Sequence, residues 1–353
     1  MAPLVGLVGV EECSLVKAGG SVLASTVEAK ADWPSKRIAY ADGWAVNAED
    51  LIGSSAYSAA VLLSPKWVDA GDVMPESDAV LSPESINFSA PNVAEAAGSV
   101  VSGEGVRLPG HDIAAGEVLL EEGTRLEPRH IGLLQACGLQ TVAVRVPRLR
   151  IVIASAGAAQ HGLMIRTWLE ASGGQIEDVV SAHGDRDALA ASYGRPGADL
   201  VISLGGTGQG RRDCAVAALV EAGSLAVQGV ALRPGATVAF GSVGSAPVLL
   251  LPGRLDAMIA GMLVLAMPAL AGASGLKNKD ASRVFRLVEK VTSVVGLSEL
   301  FLGLPAGDAV RAVTLAEARF DALAQAIGWF IVPPELEGFA AGHTVHLRSF
   351  HHG

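Results

Sequence analysis

The chain has 353 residues, half of them hydrophobic, and carries 36 acidic against 26 basic side chains for a formal charge of −10. That length accommodates two or three domains with cores of their own, and the composition excludes a disordered or fibrous protein. The acidic balance argues against a nucleic-acid-binding surface, so an anionic ligand would need local help from backbone amides or from arginines, which dominate the basic residues. Cys13, Cys137 and Cys214 stand far apart without a CxxC spacing and read as free, packed thiols of a reducing compartment. The opening MAPLVGLVGVEE lacks a basic n-region, so no secretory leader is expected. The apolar run 257–273 is short for a membrane span and contains Pro268, which reads as a buried helix. The expectation is a soluble cytoplasmic protein with no membrane partner.

In chain order, residues 1–147 show short β-like runs at 58–63, 79–81, 116–120 and 141–146, separated by Gly, Pro, Ser and Asp. They predict a β-rich N-terminal region made of a linker and an inserted β subdomain. One helix is marked inside it, with Pro128 suited to the first helical position and Gly138 to the stop. Residues 148–275 alternate strands (150–154, 176–180, 199–204, 248–251) with helices (160–171, 185–193, 213–221 and a long one from about Leu255). That alternation predicts an α/β domain of three layers, with helices on both faces of a mainly parallel sheet. Ser274 to Ser282 is turn-rich and reads as a linker. Residues 280–353 form a β-rich C-terminal domain, with one helix opened by a capping box at Thr314 and Glu317.

Among segments that could carry chemistry, Gly205-Gly206-Thr207-Gly208-Gln209-Gly210 lies between the carboxyl end of a strand and a helix start. Free backbone N–H groups and the helix dipole make such a turn an anion site, and ligands of open α/β sheets bind at strand carboxyl ends. The spacing is neither GxGxxG nor a P-loop, and the same turn reads equally as a tight connection that needs glycine. Small-residue turns follow two other strands, at Ser155–Ala159 and at Leu251-Pro252-Gly253-Arg254. If the strands are parallel, the three turns meet at one sheet edge and bring Arg211, Arg212, Arg254 and Asp213 together as a phosphate site. His343, His346, His351 and His352 make a histidine-rich tail that reads as a solvated end in preference to a metal site. Met164 and Trp168, at helical spacing, read as core.

The order of motifs resembles the molybdopterin molybdenumtransferase family. Arg37-Ile-Ala-Tyr-Ala-Asp42-Gly43-Trp44-Ala45-Val46 is similar to its SAMDGYAV segment, residues 70–80 to TGAPVPEGADAVV, and Val106 to Ile113 to VRxxGEDV. Gly205 to Asp213 corresponds to GGVSVGDYD, Arg233 to Thr237 to KPGKP, and Leu251 to Leu255 to LPGNP. Residues 335–345 are similar to the C-terminal domain. Together these segments run in family order over nearly the whole chain.

The resemblance implies an elongated multidomain homodimer whose central domain binds a pterin phosphate. It further implies insertion of molybdate into adenylated molybdopterin with a divalent cation such as magnesium, releasing AMP. Carried over, Asp42, Asp112 and Asp213 keep the acids of their motifs and stand as catalytic candidates. Gly205, Gly206, Thr207, Gly208, Gly210, Arg211, Arg233, Gly253 and Arg254 stand as cofactor-binding candidates. Other motif positions are altered. Ala156-Gly157-Ala158-Ala159-Gln160 replaces TGDEL, Arg211 stands for an Asp of GGVSVGD, and Ala236 for the second Lys of KPGKP. Acids leave and arginines appear, so the pocket is expected to hold phosphate and to hold magnesium poorly. The alternative is a degenerate paralogue serving as a molybdopterin carrier, scaffold or regulator. No residue is assigned as a metal ligand.

Overall fold

The computed structural model describes residues 8–277 and 282–350, so His351, His352 and part of the expected linker lie outside the described residues. The chain divides into two compact units, one of residues 1–25, 122–131 and 140–353, the other of residues 26–121 and 132–139.

The first unit is built on a six-stranded sheet. Its strands are β1 (Arg148–Ile153), β2 (Gln175–Ser181), β3 (Leu200–Leu204), β4 (Ser224–Gln228), β5 (Ala239–Val243) and β6 (Ala246–Leu251), in the order β2-β1-β3-β6-β5-β4. The first four in that order are parallel, and β5 and β4 are antiparallel additions at one edge. Period-2 alternation sorts the side chains. Leu149, Ile151, Ile153, Leu200, Ile202 and Leu204 face one core, and Val152, Val201, Val248 and Leu250 face the other. The first core is closed by α1 (Gly162–Ala171) and the long helix Leu255–Ser274, the second by α2 (Arg186–Gly194) and α3 (Ala215–Ala222). The three-layer α/β domain expected from the strand–helix alternation is therefore present. Asp185 caps α2, its carboxylate accepting from Ala188 N at 3.0 Å.

Strands β4 and β5 have no counterpart in the sequence reading. Their sequences, SLAVQ and AFGSV, are short, half exposed and broken by Ser and Gly, so they lack the apolar runs of the buried strands. The helix Leu255–Ser274 is long and apolar enough for a membrane span, but 72% of its apolar window is buried inside the protein. It widens into a π-turn at Met262–Ala266, just before Pro268. Met164 and Trp168, both partly buried, pack against the first of these cores and against the cluster around Ile259 and Leu263 of the long helix.

After this helix the chain forms a second sheet around Ser298–Ala306, flanked by antiparallel Ala309–Thr314 and Gly328–Val332. The two-residue strand Leu232–Arg233 joins it in parallel, opposing Arg233 to Glu299. Leu300, Leu302 and Trp329 of this sheet pack on Ile259, Ala260 and Leu263 of the long helix. The capping box expected at Thr314 is not formed. Thr314 Oγ1 donates to Glu299 Oε1 at 2.8 Å instead, and the chain makes a single three-residue turn, Leu315–Glu317. A buried carboxylate has won the hydroxyl that a helix N-terminus would have used.

In the second unit, Gly43–Val46 is the centre of a three-stranded sheet between Lys66–Val68 and Ala79–Leu81. A Cβ on Gly43 would stand 2.4 Å from the Leu81 carbonyl oxygen, so glycine is required for the strands to approach. Ala60–Leu63, Val93–Ala96 and Ile86–Ala90 make a second sheet. Val46, Leu51, Leu81, Ile86 and Ala94 form the core beside it, and Trp44 packs edge-on against Trp67 and Phe88. The predicted helix in this part of the sequence is Pro128–Ala136. Cys13, Cys137 and Cys214 are free and half-buried.

Candidate functional site

The carboxyl ends of β1, β3 and β6 lead into the three small-residue turns, and the turns touch. After β3 the backbone enters the left-handed region at Gly205 (φ +90) and Gly206 (φ +72), where a side chain is strained. A Cβ on Gly205 would also fall 2.1 Å from Ser155 Oγ at the end of β1. Gly205 N donates to Leu251 O at 2.8 Å, which ties this turn to β6, and a Cβ on Gly253 would stand 3.2 Å from Ser155 Oγ. A fourth segment joins them, Arg233-Pro234-Gly235-Ala236-Thr237, and Thr237 Oγ1 is 3.0 Å from Thr207 Oγ1.

These segments surround a cavity of about 770 Å³ whose wall includes Ser155, Gly206, Thr207, Gly208, Asp213, residues 232–237, Pro252, Gly253, Arg254, Leu297 and Glu317. Of the sequence-predicted ligand residues, Gly206, Thr207, Gly208, Arg233, Gly253 and Arg254 line it, as does Asp213. Gly205 lies just behind, against Ser155, and Gly210 and Arg211 are on the exposed part of the turn away from this wall. Ser155, Leu297 and Glu317 were not expected. Ser155 could have been found as the last polar group of the β1 turn. Leu297 and Glu317 arrive through the pairing of Leu232–Arg233 with Ser298–Ala306, for which the sequence holds no signal.

The charges at this wall are already engaged. Asp213 Oδ2 accepts from Gly210 N at 2.8 Å, so its carboxylate braces the glycine turn from within. Arg254 is held by Asp256, Nε donating to Oδ1 at 3.0 Å and Nη2 to Oδ2, which raises the guanidinium pKa further above its ordinary value. Arg233 Nε lies 3.5 Å from Glu299 Oε1, and its Nη2 lies 4.0 Å from Glu317 Oε1. From the first turn only Ser155, with its hydroxyl, lines the cavity, and Ala156, Gly157, Ala158 and Ala159 after it carry no side-chain oxygen. Among the described residues, no three His, Cys, Asp or Glu stand together as a metal-binding group.

Asp42 and Asp112 belong to the other unit. Asp42 Oδ1 accepts from Ala70 N at 2.7 Å. Asp112 accepts from Arg107 Nη1 at 2.8 and 3.0 Å and stands 3.0 Å from His111 Nδ1. His111, with Arg107 behind it, holds this carboxyl below the usual carboxylate range. Arg107 also lies over the Tyr40 ring, 4.0 Å from its centroid.

The chain is similar to known proteins in sequence and in fold. Residues 2–138 match the family described as the MoeA N-terminal region (domain I and II), and residues 153–272 match the one described as a probable molybdopterin binding domain. A molybdopterin molybdenumtransferase 2 of Mycobacterium tuberculosis is 26% identical over 376 residues, covering 93% of this chain and 92% of its own. A putative molybdopterin biosynthesis protein of Methanocaldococcus jannaschii is 26% identical over 281 residues, covering 69% of this chain and 70% of its own. The chain belongs to the MoeA-like family. A molybdopterin biosynthesis MoeA protein of Pyrococcus horikoshii has the same fold, with a TM-score of 0.77 at 24% identity over 98% of this chain and 95% of its own. The MoeA-like architecture therefore extends past residue 272 into the β-rich C-terminal residues. Within that architecture this member has Ala158, Ala159 and Arg211 at positions where the motifs it resembles carry acids.

Proposed function

We propose that this chain acts in molybdenum cofactor biosynthesis by binding molybdopterin at the strand-end cavity and taking part in the transfer of molybdate to it. The observation that carries the reading is the meeting of three strand-to-helix turns and the Arg233–Thr237 segment around one cavity. Backbone N–H groups at such turns favour an anion, and Arg233 adds a guanidinium able to bind phosphate oxygens in pairs. The phosphate of the pterin is the group this chemistry recognises. Relatives that match across more than nine-tenths of the chain are transferases by name, which does not favour the carrier or regulator reading.

The donor set of the cavity does not fit a magnesium ion. A hard divalent cation takes several oxygen ligands, carboxylates foremost. Here Asp213 is engaged by Gly210 N, Glu317 faces Arg233, and the first turn offers the neutral hydroxyl of Ser155 and no carboxylate. Charge on the ligand is offset by arginine and backbone amides in this reading. Asp42 and Asp112 act, in the same reading, as acids of a homodimer's site, and the protein works as a soluble cytoplasmic enzyme. The test is an anaerobic titration of the purified chain with molybdopterin and with its adenylated form, with and without magnesium and molybdate. Expected are saturable binding that magnesium does not strengthen, and AMP release when molybdate accompanies the adenylated form. Absence of binding would refute the reading.

A further inference from the structure

Arg233 stands on a wall shared by two cavities. The second, of about 410 Å³, is lined among others by Lys290, Ser293, Glu299, Thr314 and Glu317. The two carboxylates that face Arg233 are held in opposite ways. Glu299 is opposite Arg233 in the parallel strand pair and is 3% exposed. Its Oε1 accepts from Thr314 Oγ1 at 2.8 Å and its Oε2 from Ser293 Oγ at 3.0 Å. Glu317 is 73% exposed and reaches Arg233 at 4.0 Å, beyond hydrogen-bond distance.

We infer that Glu299 is a positioning residue that fixes Arg233 for the ligand's phosphate, and that Glu317 is a place-holding anion which that phosphate displaces. The inference rests on the reading of the larger cavity as a phosphate site. A buried carboxylate is tolerated where its partners are fixed, and the two hydroxyls fix Glu299. Through the strand pairing and the Nε contact, that rigidity passes to the guanidinium and leaves its Nη atoms for another oxygen. The exposed contact to Glu317 is of the kind that contributes little. A phosphate making charge-assisted bonds of ordinary length to the Nη groups replaces it. Glu317 then turns to solvent from the three-residue turn Leu315–Glu317. Thr314 belongs to the device, because its hydroxyl serves Glu299 in place of a helix cap.

The two carboxylates should therefore change binding in opposite directions. Full-length variants are titrated anaerobically with molybdopterin freshly released from a molybdoenzyme, and melting temperatures are recorded in parallel. Glu317→Gln is expected to bind about threefold more tightly, the scale of one weak exposed ion pair, with its melting temperature unchanged. Glu299→Gln is expected to bind about tenfold more weakly through the loss of a fixed charge partner. Thr314→Val should weaken binding in the same direction and decides the case if Glu299→Gln does not fold. In the double variant Glu299→Gln, Glu317→Gln, independent effects would multiply to about threefold weaker binding; a departure from that product is expected, because both carboxylates act on one guanidinium, and a purely structural role for Glu299 would not produce it. Folded Glu299→Gln or Thr314→Val binding like the wild type, or Glu317→Gln binding no more tightly, would overturn the inference while leaving the cavity assignment in place. Failure of the wild type to bind would remove that assignment and the inference with it.

Discussion

The first unit pairs guanidinium with carboxylate in two settings. Behind the central sheet, Arg150 is 2% exposed. Its Nε donates to Asp178 Oδ1 at 2.7 Å, and its terminal nitrogens donate to the carbonyls of Ser192, Arg195 and Pro196. At the carboxyl ends of the same sheet, Arg254 is 74% exposed beside Asp256, and Arg233 is divided between Glu299 and Glu317. Arg150 has every reachable oxygen committed and ties β1 to β2 and to the end of α2. The rim arginines retain solvent access and partners that can be exchanged. Sealed charge serves the fold here and exchangeable charge serves the ligand, so variants at the two places should fail in different assays.

The largest effect is expected at Arg150. In Arg150→Met, Asp178, the buried Ser192 carbonyl and the half-buried carbonyls of Arg195 and Pro196 lose a donor, and removal of one partner of a buried pair costs about 3–5 kcal/mol. Thermal or urea unfolding should show a loss of that order. A variant within about 1 kcal/mol of the wild type would mean that the pair is as dispensable as a surface ion pair. Gly205→Ala should come second and register in both assays. The added Cβ meets Ser155 Oγ and the backbone sits at φ +90, so strain of about 1–3 kcal/mol is expected together with loss of molybdopterin binding. Stability lost with binding retained would show that the turn is a connection and not a cradle.

Legibility in the sequence divides along the same line. Strands β1, β3 and β6 are nearly continuous apolar runs because both faces are covered, and their ends are marked by Gly205, Gly206 and Gly253, so sheet and turns could be read directly. Arg150 could not be recognised as buried, because an arginine inside an apolar run looks like a strand end. Thr314 and Glu317 carried a capping-box signal that the structure assigns to other tasks, since Glu299, far from both in local pattern, takes the hydroxyl. The wall formed by Leu297 and Glu317 depends on the parallel pairing of the two-residue strand Leu232–Arg233, which leaves no periodicity behind. Motif resemblance supplied Arg233, and only coordinates supplied its two carboxylates.

A smaller effect is expected at Asp213, which lies between the two settings: exposed, yet bonded to the turn it braces. Asp213→Ala removes the acceptor of Gly210 N, and a hydrogen bond of this exposed kind contributes about 1 kcal/mol or less. Unfolding should hardly change, whereas the turn Gly208–Gly210 loses the carboxylate beneath it and molybdopterin binding should weaken. Asp213→Asn retains an acceptor oxygen and should bind nearly as the wild type. If Asp213→Asn instead abolished molybdate transfer with binding intact, the residue would be an acid of the reaction and not a brace.

The smallest effect extends the comparison to the second unit, where carboxylates are half-exposed and held mainly by backbone. Asp78 Oδ1 accepts from Ala48 N at 2.7 Å. That bond, with help from Ser102 and Arg37, holds the Asp78 carboxyl below its ordinary value. A lowered folded-state pKa means that the unfolded chain binds the proton more readily. The stabilisation is therefore complete above the unfolded value, near 4, and is lost as pH falls through the folded value. The gap in melting temperature between the wild type and Asp78→Asn should be present at pH 6 and smaller at about pH 3. A gap of equal size at both pH values would assign the contribution of Asp78 to the shape of its hydrogen bond and not to its charge. Arg150→Met, by contrast, should remain destabilised at pH 6 and through the same descent, because three of its lost acceptors are carbonyls that do not titrate.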